Sequence, residues 1–563
     1  MNDIVASNET ILVVGGGISG MTAALEAAEC GKDVVLLEQG PALGGRVARL
    51  HKYFPKMCRP SCGQEINQRR IAANPRLRVV TMARLERIKG APGNYTASVR
   101  IAPRHVNANC TACGDCARAV ETEIDDPHNQ GMGKIKAAYL PHDMAYPRRY
   151  VIDPSIVATD DGARARDACR YDAVDLESAE RAVEIQCGAV VLATGWRPYD
   201  AAKIAPYGYA RHANVVTSVE FERMMDARGP TGGKLLRPSD GAPARDIAFI
   251  QCAGSRDRNH LAHCSRICCM ASLKQSAYVT EHYADDAEAK ATIYYIDIRT
   301  IDRFEDFERK VRADPRVHFI KSKVASIEPD ADANPVLIGV DTHGYQRYAN
   351  AHDLVVLAIG MEPSVDLAAL VADGAPGLRM DSSGFIEVAA NGDGDFRTGE
   401  KRADLRSASL APASVDSRST DRGNDGGGGV AAKTAGGDGG NGNGSDNGSD
   451  NGNDNGDSDN NNNNNNDNDN DSDNDSDNDS DNNSDNNSDN NGNGNGDDNG
   501  SDNDGNGDGD NDNGDDNDNG IFAAGCAAEP LDVNRSVQSA TAAALRAIQV
   551  INRVSRAANS ART

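Results

Sequence analysis

Along the chain, short solid runs of apolar residues alternate with the wider spacing of amphipathic helices. Ile11-Leu-Val-Val14 is a solid run, the pattern of a strand buried on both faces. It leads through Gly15-Gly-Gly-Ile-Ser-Gly20 into an Ala-rich helical stretch ending near Cys30, and a second apolar run then ends at Glu38. Strand, helix and strand in that order predict a βαβ unit. Strand and helix patterns continue to Gly195, interrupted between about Asn107 and Asp175 by a cysteine-bearing excursion. A second α/β region starts near Ile247 and closes on Asp353-Leu-Val-Val-Leu-Ala-Ile-Gly360. Near the end, Gly520-Ile-Phe-Ala-Ala-Gly525 predicts a strand and turn, and Val537 to about Ile551 an amphipathic helix. These two elements are too short to fold alone, so they complete a domain begun earlier.

From Asn391 to Asn519 the periodicity vanishes. Asn, Asp, Gly and Ser dominate, and such a segment cannot bury enough apolar surface to offset its ordering entropy. Near-repeats such as SDNDSDNDSDN lack the periodic aliphatic residue of a calcium-binding β-roll, so a disordered acidic loop is expected. Closure entropy grows only logarithmically with length, which lets the flanks fold around it. This stretch holds 33 acidic and 7 basic residues and therefore carries the whole formal net charge of −26, leaving 52 of each sign elsewhere. The folded part is formally neutral, and no basic field marks a nucleic-acid binder. A polar start without a secretory pattern, and no apolar run of roughly 20 residues, predict a cytoplasmic chain without a membrane span. Thirteen cysteines, mostly clustered, suit metal or redox chemistry better than structural disulfides.

Gly15, Gly17 and Gly20, with Ser19 in the same turn, fit the dinucleotide-binding fingerprint: a tight turn, close approach of a pyrophosphate, and helix-on-strand packing. Glu38 ends the second strand, where a carboxylate accepts hydrogen bonds from ribose hydroxyls. Leu43-Gly44-Gly45-Arg46 and Val190-Val-Leu-Ala-Thr194-Gly195 resemble the secondary flavin motifs of the glutathione-reductase-like family, which implies FAD rather than NAD. Gly520 to Gly525 resembles that family's last motif, which ends Gly-Asp; here Cys526 follows Gly525, and one flavin contact is expected to be lost. The following helix is expected to aim its N-terminal amides at the flavin.

Cys110-Thr-Ala-Cys113-Gly-Asp-Cys116 has the spacing that wraps three corners of a cubane cluster. Cys169, in a segment resembling the ferredoxin stretch that supplies a remote fourth ligand, completes the set, although Arg170 stands where Pro is usual. A [4Fe–4S] cluster is expected there, with structural zinc as the alternative. Cys252, Cys264, Cys268 and Cys269 form a second group at the first turn of the second α/β region, where a pyridine-nucleotide cradle is missing. They suit a second cluster or, alternatively, a redox disulfide. Cys58 and Cys62 stay open between a redox pair, ligands to a partner's site and buried thiols, while Cys30 and Cys187 read as buried small hydrophobes.

These motifs together resemble the A-type subunits of heterodisulfide reductases. Tyr53-Phe-Pro-Lys, Val106-Asn-Ala-Asn-Cys110, Lys136-Ala-Ala-Tyr-Leu-Pro-His-Asp-Met144 and Gly195-Trp-Arg-Pro-Tyr-Asp200 look more like the A-type subunit of the quinone-interacting membrane-bound oxidoreductase complex of sulfate reducers. The expected fold class is α/β, a two-dinucleotide-binding-domain flavoprotein with a ferredoxin-like cysteine insertion and a long disordered loop. Its FAD-binding domain would comprise residues 1–106, 176–245, 361–390 and 520–563, interrupted by the iron–sulfur insertion 107–175, the second nucleotide-fold domain 246–360 and the acidic insert 391–519. The resemblance implies FAD and [4Fe–4S] clusters, two of them on the cysteine groups above, in a complex with two kinds of partner: a related flavoprotein subunit, plus a membrane subunit handling menaquinone. Adenylylsulfate reductase would be the redox partner, and attachment to the cytoplasmic face of the membrane would run through the membrane partner. Three readings compete with this one. The first is a bifurcating subunit of the heterodisulfide reductase type, and the second a stand-alone NAD(P)H-dependent disulfide reductase using Cys268 and Cys269 or Cys58 and Cys62. The third is a cofactor-free scaffold. Electron relay needs no acid–base pair, so no catalytic residue is expected beyond ligands and flavin neighbours.

Overall fold

The computed structural model describes residues 6–300, 302–364, 370, 376–387 and 519–560. Nearly all of the 391–519 insert, and part of the 361–390 return segment, lie outside the described residues.

The chain enters through β1 (Ile11–Val14), α1 (Ile18–Glu29) and β2 (Val34–Glu38), followed by α2 (Ser61–Ala73) and β3 (Leu77–Thr81). Next come β4 (Ala83–Ala91) and β5 (Asn94–Ile101), the cysteine-bearing excursion with α3 (Asp115–Ala119) and α4 (Asp160–Asp167), then β6 (Arg181–Cys187) and β7 (Ala189–Leu192). The second region begins before the expected residue 246, because β8 (Val215–Thr217) pairs with its last strand and α5 (Ser218–Met224) packs on its core; it continues with β9 (Asp246–Ala253), α6 (Cys268–His282), β10 (Lys290–Tyr295), α7 (Glu305–Arg312), β11 (Val317–Lys321) and β12 (Leu354–Ile359). Last are β13 (Ile521–Ala523) and α8 (Val533–Ser560).

Two five-stranded parallel sheets result, in the orders β13-β7-β1-β2-β3 and β8-β12-β9-β10-β11. Their central strands β1, β7 and β12 are buried on both faces, which explains the solid runs. One face of the first sheet packs on α1 and α8 through Ala23, Ala24, Ala27, Ala540, Ala543, Ala544 and Ala547. Its other face meets the antiparallel sheet β4-β5-β6. The final strand does complete the first sheet, with β13 pairing in parallel against β7. The helix after it is longer than its apolar period suggests and starts earlier. Asp532 ends the approach by accepting from Arg535 N–H at 3.0 Å, so the helix begins at Val533, and Ala-rich sequence carries it to Ser560.

Both sides of the insert return to one place. Asn519 donates through Nδ2 to the Gly377 carbonyl at 2.8 Å, and the Ile386 amide donates to the Ala527 carbonyl at 3.0 Å.

Candidate functional site

At the C-terminal edge of the first sheet, three glycine turns meet almost without side chains. Gly15 has φ +107°, and a Cβ there would stand 2.3 Å from the Ala193 carbonyl oxygen. A Cβ on Gly20 would stand 1.7 Å from the Gly15 carbonyl oxygen, so glycine lets α1 sit directly on the turn. Gly45 approaches as closely, with its Cβ position 2.9 Å from the Gly17 Cα, and Gly44 N–H donates to the Gly16 carbonyl at 2.9 Å. Ser19 and Gly525 also meet, since a Cβ on Gly525 would lie 2.0 Å from the Ser19 Oγ.

The polar groups around this crevice are unevenly satisfied. Glu38 accepts from Gly16 N–H at 2.7 Å and Gly40 N–H at 2.6 Å; burial raises its pKa, and these two bonds oppose the rise. Arg46 donates through Nε to the Trp196 carbonyl at 3.1 Å and stacks 5.0 Å above the indole. Its pKa falls to about 10, from burial first and from Arg49 second. The buried Arg46 Nη1, Thr194 Oγ1 and Gln64 Nε2 have no hydrogen-bond partner. Buried polar atoms without partners are costly, so a polar ligand in this crevice would satisfy them. Together with Gly195, these residues fit an FAD: bare glycine backbone where a pyrophosphate would come close, a strand-end acid for a ribose, and unpaired donors beside the turns.

Cys526 turns away into an apolar cluster. Its thiol meets the Leu531 carbonyl at 3.2 Å, packs with Met361, Leu531, Trp196 and Ile267, and has a pKa raised by burial. The amides expected to reach the flavin from α8 do not follow directly on Cys526, because Glu529 to Asp532 intervene before the helix.

Cys110, Cys113, Cys116 and Cys169 line one cavity with Val106, Tyr150, Tyr171 and Val174. Ala112 (φ 58°) and Gly114 (φ 86°) bend the loop tightly enough to turn three thiols to one side, and Cys169 follows α4 from the other. Burial pushes Cys116 up to about 12, with Cys110 next in effect. Asp115 pairs with Arg118 and, at 3.1 Å, with Arg170. Arg170 thus ties the remote cysteine's segment to the loop, in place of the usual Pro. Among the described residues no three His, Cys, Asp or Glu side chains are grouped to hold a single metal ion. A cubane spreads its thiolates over four irons, and an all-thiol donor set suits it.

The second group gathers where β9 ends. Cys252 sits at φ 57°, and the β9–β12 register shifts between Ile250 and Ala253, so the strand kinks as it delivers this thiol. Cys268 and Cys269 open α6; their thiols lie 2.7 Å from Ser265 Oγ and 3.6 Å from Gln251 Oε1, respectively. The Arg266 amide donates to Cys264 Sγ at 3.4 Å. Burial pushes Cys269 up to about 12, with Cys252 and Cys264 adding to the rise. Cys252, Cys268 and Cys269 are buried and Cys264 is half-buried. Beyond the strands, Asp297 is bound by Arg256 and Arg299, and a Cβ on Gly254 would stand 2.6 Å from the Tyr199 ring. The turn after β9 is thus backed by the Tyr199 ring, and Asp297 holds two arginines beside the cysteines.

Residues 10–107 match the FAD dependent oxidoreductase family. The chain is 35% identical over 362 residues to the A-type subunit of the ferredoxin/F420H2-dependent CoB–CoM heterodisulfide reductase of Methanosarcina acetivorans, covering 64% of this chain and 45% of that one. It is 34% identical over 394 residues to the iron–sulfur A-type subunit of the CoB–CoM heterodisulfide reductase of Methanocaldococcus jannaschii, covering 68% and 58%. The chain is similar to these heterodisulfide reductase subunits over about two thirds of its own length. It spans about half the length of the curated relatives it matches. Among solved structures, a thioredoxin reductase of Lactococcus lactis aligns at 12% identity and a TM-score of 0.39, covering 97% of this chain and 99% of that one. The match gives the N-terminal part of the chain as an FAD dependent oxidoreductase domain.

Two further clusters have no signal in the sequence. Lys274, on α6, pairs with Glu222 at 2.9 Å, and both are almost fully buried; Gln275 Nε2, Tyr278 OH and the His51 amide also donate to Glu222. His128 and His142 stack at 5.1 Å, and His142 Nε2 lies 3.3 Å from the Leu43 carbonyl in the flavin loop. Burial, above all, lowers both imidazole pKa values, that of His142 to about 4. Long-range packing assembles both clusters. Cys58 and Cys62 are exposed, which removes the buried-thiol reading; Cys30 is exposed as well, because α1 ends at Glu29 and turns it outward, while Cys187 is buried. No helix among the described residues is long and apolar enough to cross a membrane.

Proposed function

We propose that the chain is an FAD and [4Fe–4S] electron-transfer subunit that relays electrons between its two cysteine groups and the flavin. One observation carries this reading: the flavin turns touch both cysteine-bearing modules. On one side the Leu43 amide donates to the Tyr146 carbonyl at 2.9 Å and Gln68 Nε2 to the Met144 carbonyl at 2.7 Å. On the other, Trp196 and Cys526 pack against Met361 and Ile267, the residue before Cys268.

Gly15, Gly17, Ser19, Gly20, Gly44, Gly45, Gly195 and Gly525 would admit the cofactor to the backbone, and Glu38 would hold its ribose. Arg46 and Thr194 would offer their free polar atoms. When bound, FAD supplies the coupling between two-electron and one-electron carriers. Cys110, Cys113, Cys116 and Cys169 would ligate one cluster, and Cys252, Cys264, Cys268 and Cys269 another. Burial and the hydrogen bonds at their sulfurs would tune the potentials. The turn Gln251-Cys-Ala-Gly254 lacks the glycine fingerprint of a pyridine-nucleotide cradle, which argues against the stand-alone NAD(P)H reductase.

The finer reading joins this chain to a related flavoprotein and a membrane quinone-handling partner, exchanging electrons between menaquinone and adenylylsulfate reductase. It is supported by Tyr53-Phe-Pro-Lys and Gly195-Trp-Arg-Pro-Tyr-Asp200. The identity to heterodisulfide reductase subunits favours a second reading, a bifurcating subunit of that type. Anaerobic purification with iron, sulfide and flavin analysis tests the relay: about eight irons and one FAD per chain are expected. Zinc in place of iron, or unchanged iron in Cys252→Ser and Cys264→Ser, would overturn the assignment. In the purified complex, oxidation by a menaquinone analogue separates the finer reading from reduction of a CoB–CoM heterodisulfide.

A further inference from the structure

We propose that Ser265 and Gln251 are positioning residues that donate hydrogen bonds to the sulfurs of Cys268 and Cys269 and so hold up the reduction potential of that centre. The proposal rests on the reading of Cys252, Cys264, Cys268 and Cys269 as ligands of one [4Fe–4S] cluster. Ser265 is fully buried, and its Oγ lies 2.7 Å from Cys268 Sγ. On its other side stands the buried Ser255 Oγ at 3.4 Å. A hydroxyl has a single proton to give, and a thiolate bound to iron has none and can only accept. The Ser265 proton is therefore directed at the sulfur, which leaves the Ser265 oxygen free to accept from Ser255. The outcome is a chain of hydroxyls ending on Cys268.

Gln251 supplies an independent observation. Its side chain is buried, with Oε1 3.6 Å from Cys269 Sγ and Nε2 left without any hydrogen-bond partner. That orientation suits a thiol that donates. Against an iron-bound thiolate the amide is better turned over, which gives the orphaned Nε2 an acceptor and the sulfur a donor. Burial disfavours the reduced cluster, because the added electron raises a negative charge held away from water, and Cys252, Cys268 and Cys269 are all buried. Donors aimed at the sulfurs oppose this, since they stabilise the more negative, reduced state more than the oxidised one. The step they assist moves one electron: the reduced flavin of the relay loses it and the cluster gains it. No bond is made or broken, and the serine and amide protons stay on their own atoms.

Potentiometric titration of the anaerobic, iron-replete full chain, with dithionite as reductant and electron paramagnetic resonance as readout, gives the midpoint of each cluster. The signal that Cys264→Ser removes belongs to this centre. Its midpoint should fall in Ser265→Ala by about a tenfold change in the one-electron equilibrium, or ~59 mV. Gln251→Met, an independent variant of similar volume, should lower it too. Ser265→Thr, which keeps the hydroxyl, should restore the wild-type midpoint, and Ser255→Ala, acting only through Ser265, should give a smaller fall. The cluster on Cys110, Cys113, Cys116 and Cys169, where the Ala173 amide donates to Cys169 Sγ at 3.3 Å, should not move in any of them. An unmoved midpoint in whichever of Ser265→Ala and Gln251→Met retains the cluster would overturn the proposal, as would an equal shift of both clusters. Survival of both cluster signals in Cys264→Ser would instead overturn the underlying ligand assignment, and the proposal with it.

Discussion

Single residues set how tightly the flavin crevice and the polar clusters beside it are specified. Gly15 has a positive φ and no room for a Cβ, so Gly15→Ala should yield protein with a small fraction of the wild-type flavin, measured as the visible to ultraviolet absorbance ratio. Lys274 and Glu222 are a buried ion pair, and removing one partner strands the other. Lys274→Met should cost about 3–5 kcal/mol in chemical denaturation, while Lys274→Met with Glu222→Leu should cost clearly less. His142 titrates at about 4 in the fold, against about 6.5 in an unfolded chain. Below pH ~6.5 the unfolded state takes up the proton first, so this contribution is complete above about 6.5 and is lost as pH falls toward about 4. The slope is at most ~1.4 kcal/mol per pH unit and is reduced by the part of the ring that water reaches. Unfolding free energy measured from pH ~7 to ~5 should fall less steeply in His142→Gln. Neither cluster was legible in the sequence, because Glu222 with Lys274, and Leu43 with His142, are joined only by folding.

At the scale of elements, helix packing follows residue size. Ala547 is fully buried where α8 crosses α1, so Ala547→Leu overpacks the contact and should cost about 1–3 kcal/mol, read as a lower thermal midpoint. Leu545, on the outer side of the same helix, is 56% exposed, and Leu545→Ala should stay within about 0.5 kcal/mol. The two βαβ regions were legible because strands buried on both faces must be solid apolar runs, as β1, β7, β9 and β12 are. The limits of α8 were not, since its start is set by the Asp532 cap and its extension to Ser560 lies beyond the apolar period. The kink that delivers Cys252 from β9 was also hidden, because a register shift belongs to the pairing with β12 and not to either strand alone.

Across the whole molecule, stretches far apart in the chain share one site. The bonds Asn519 to Gly377 and Ile386 to Ala527 bring the insert's flanks together, so replacing residues 391–518 by a short Gly-Ser linker should leave flavin and iron content unchanged. The same change removes the whole formal charge of −26, and isoelectric focusing should move toward neutrality. The sequence by itself determined the glycine turns, the strand-end acid, both cysteine groups and the need for a late strand to complete an earlier sheet. Those features are local: a turn's φ angles, a ligand spacing and an apolar run are properties of a few consecutive residues. Only the tertiary structure decided that Cys526 packs inward, that Arg170 clamps Asp115, that Arg256 and Arg299 both pair with Asp297, and that Trp196 meets Ile267. Each of these joins residues far apart in the chain or fixes a side chain's direction, and burial and charge pairing choose among partners only once the sheets have brought them together.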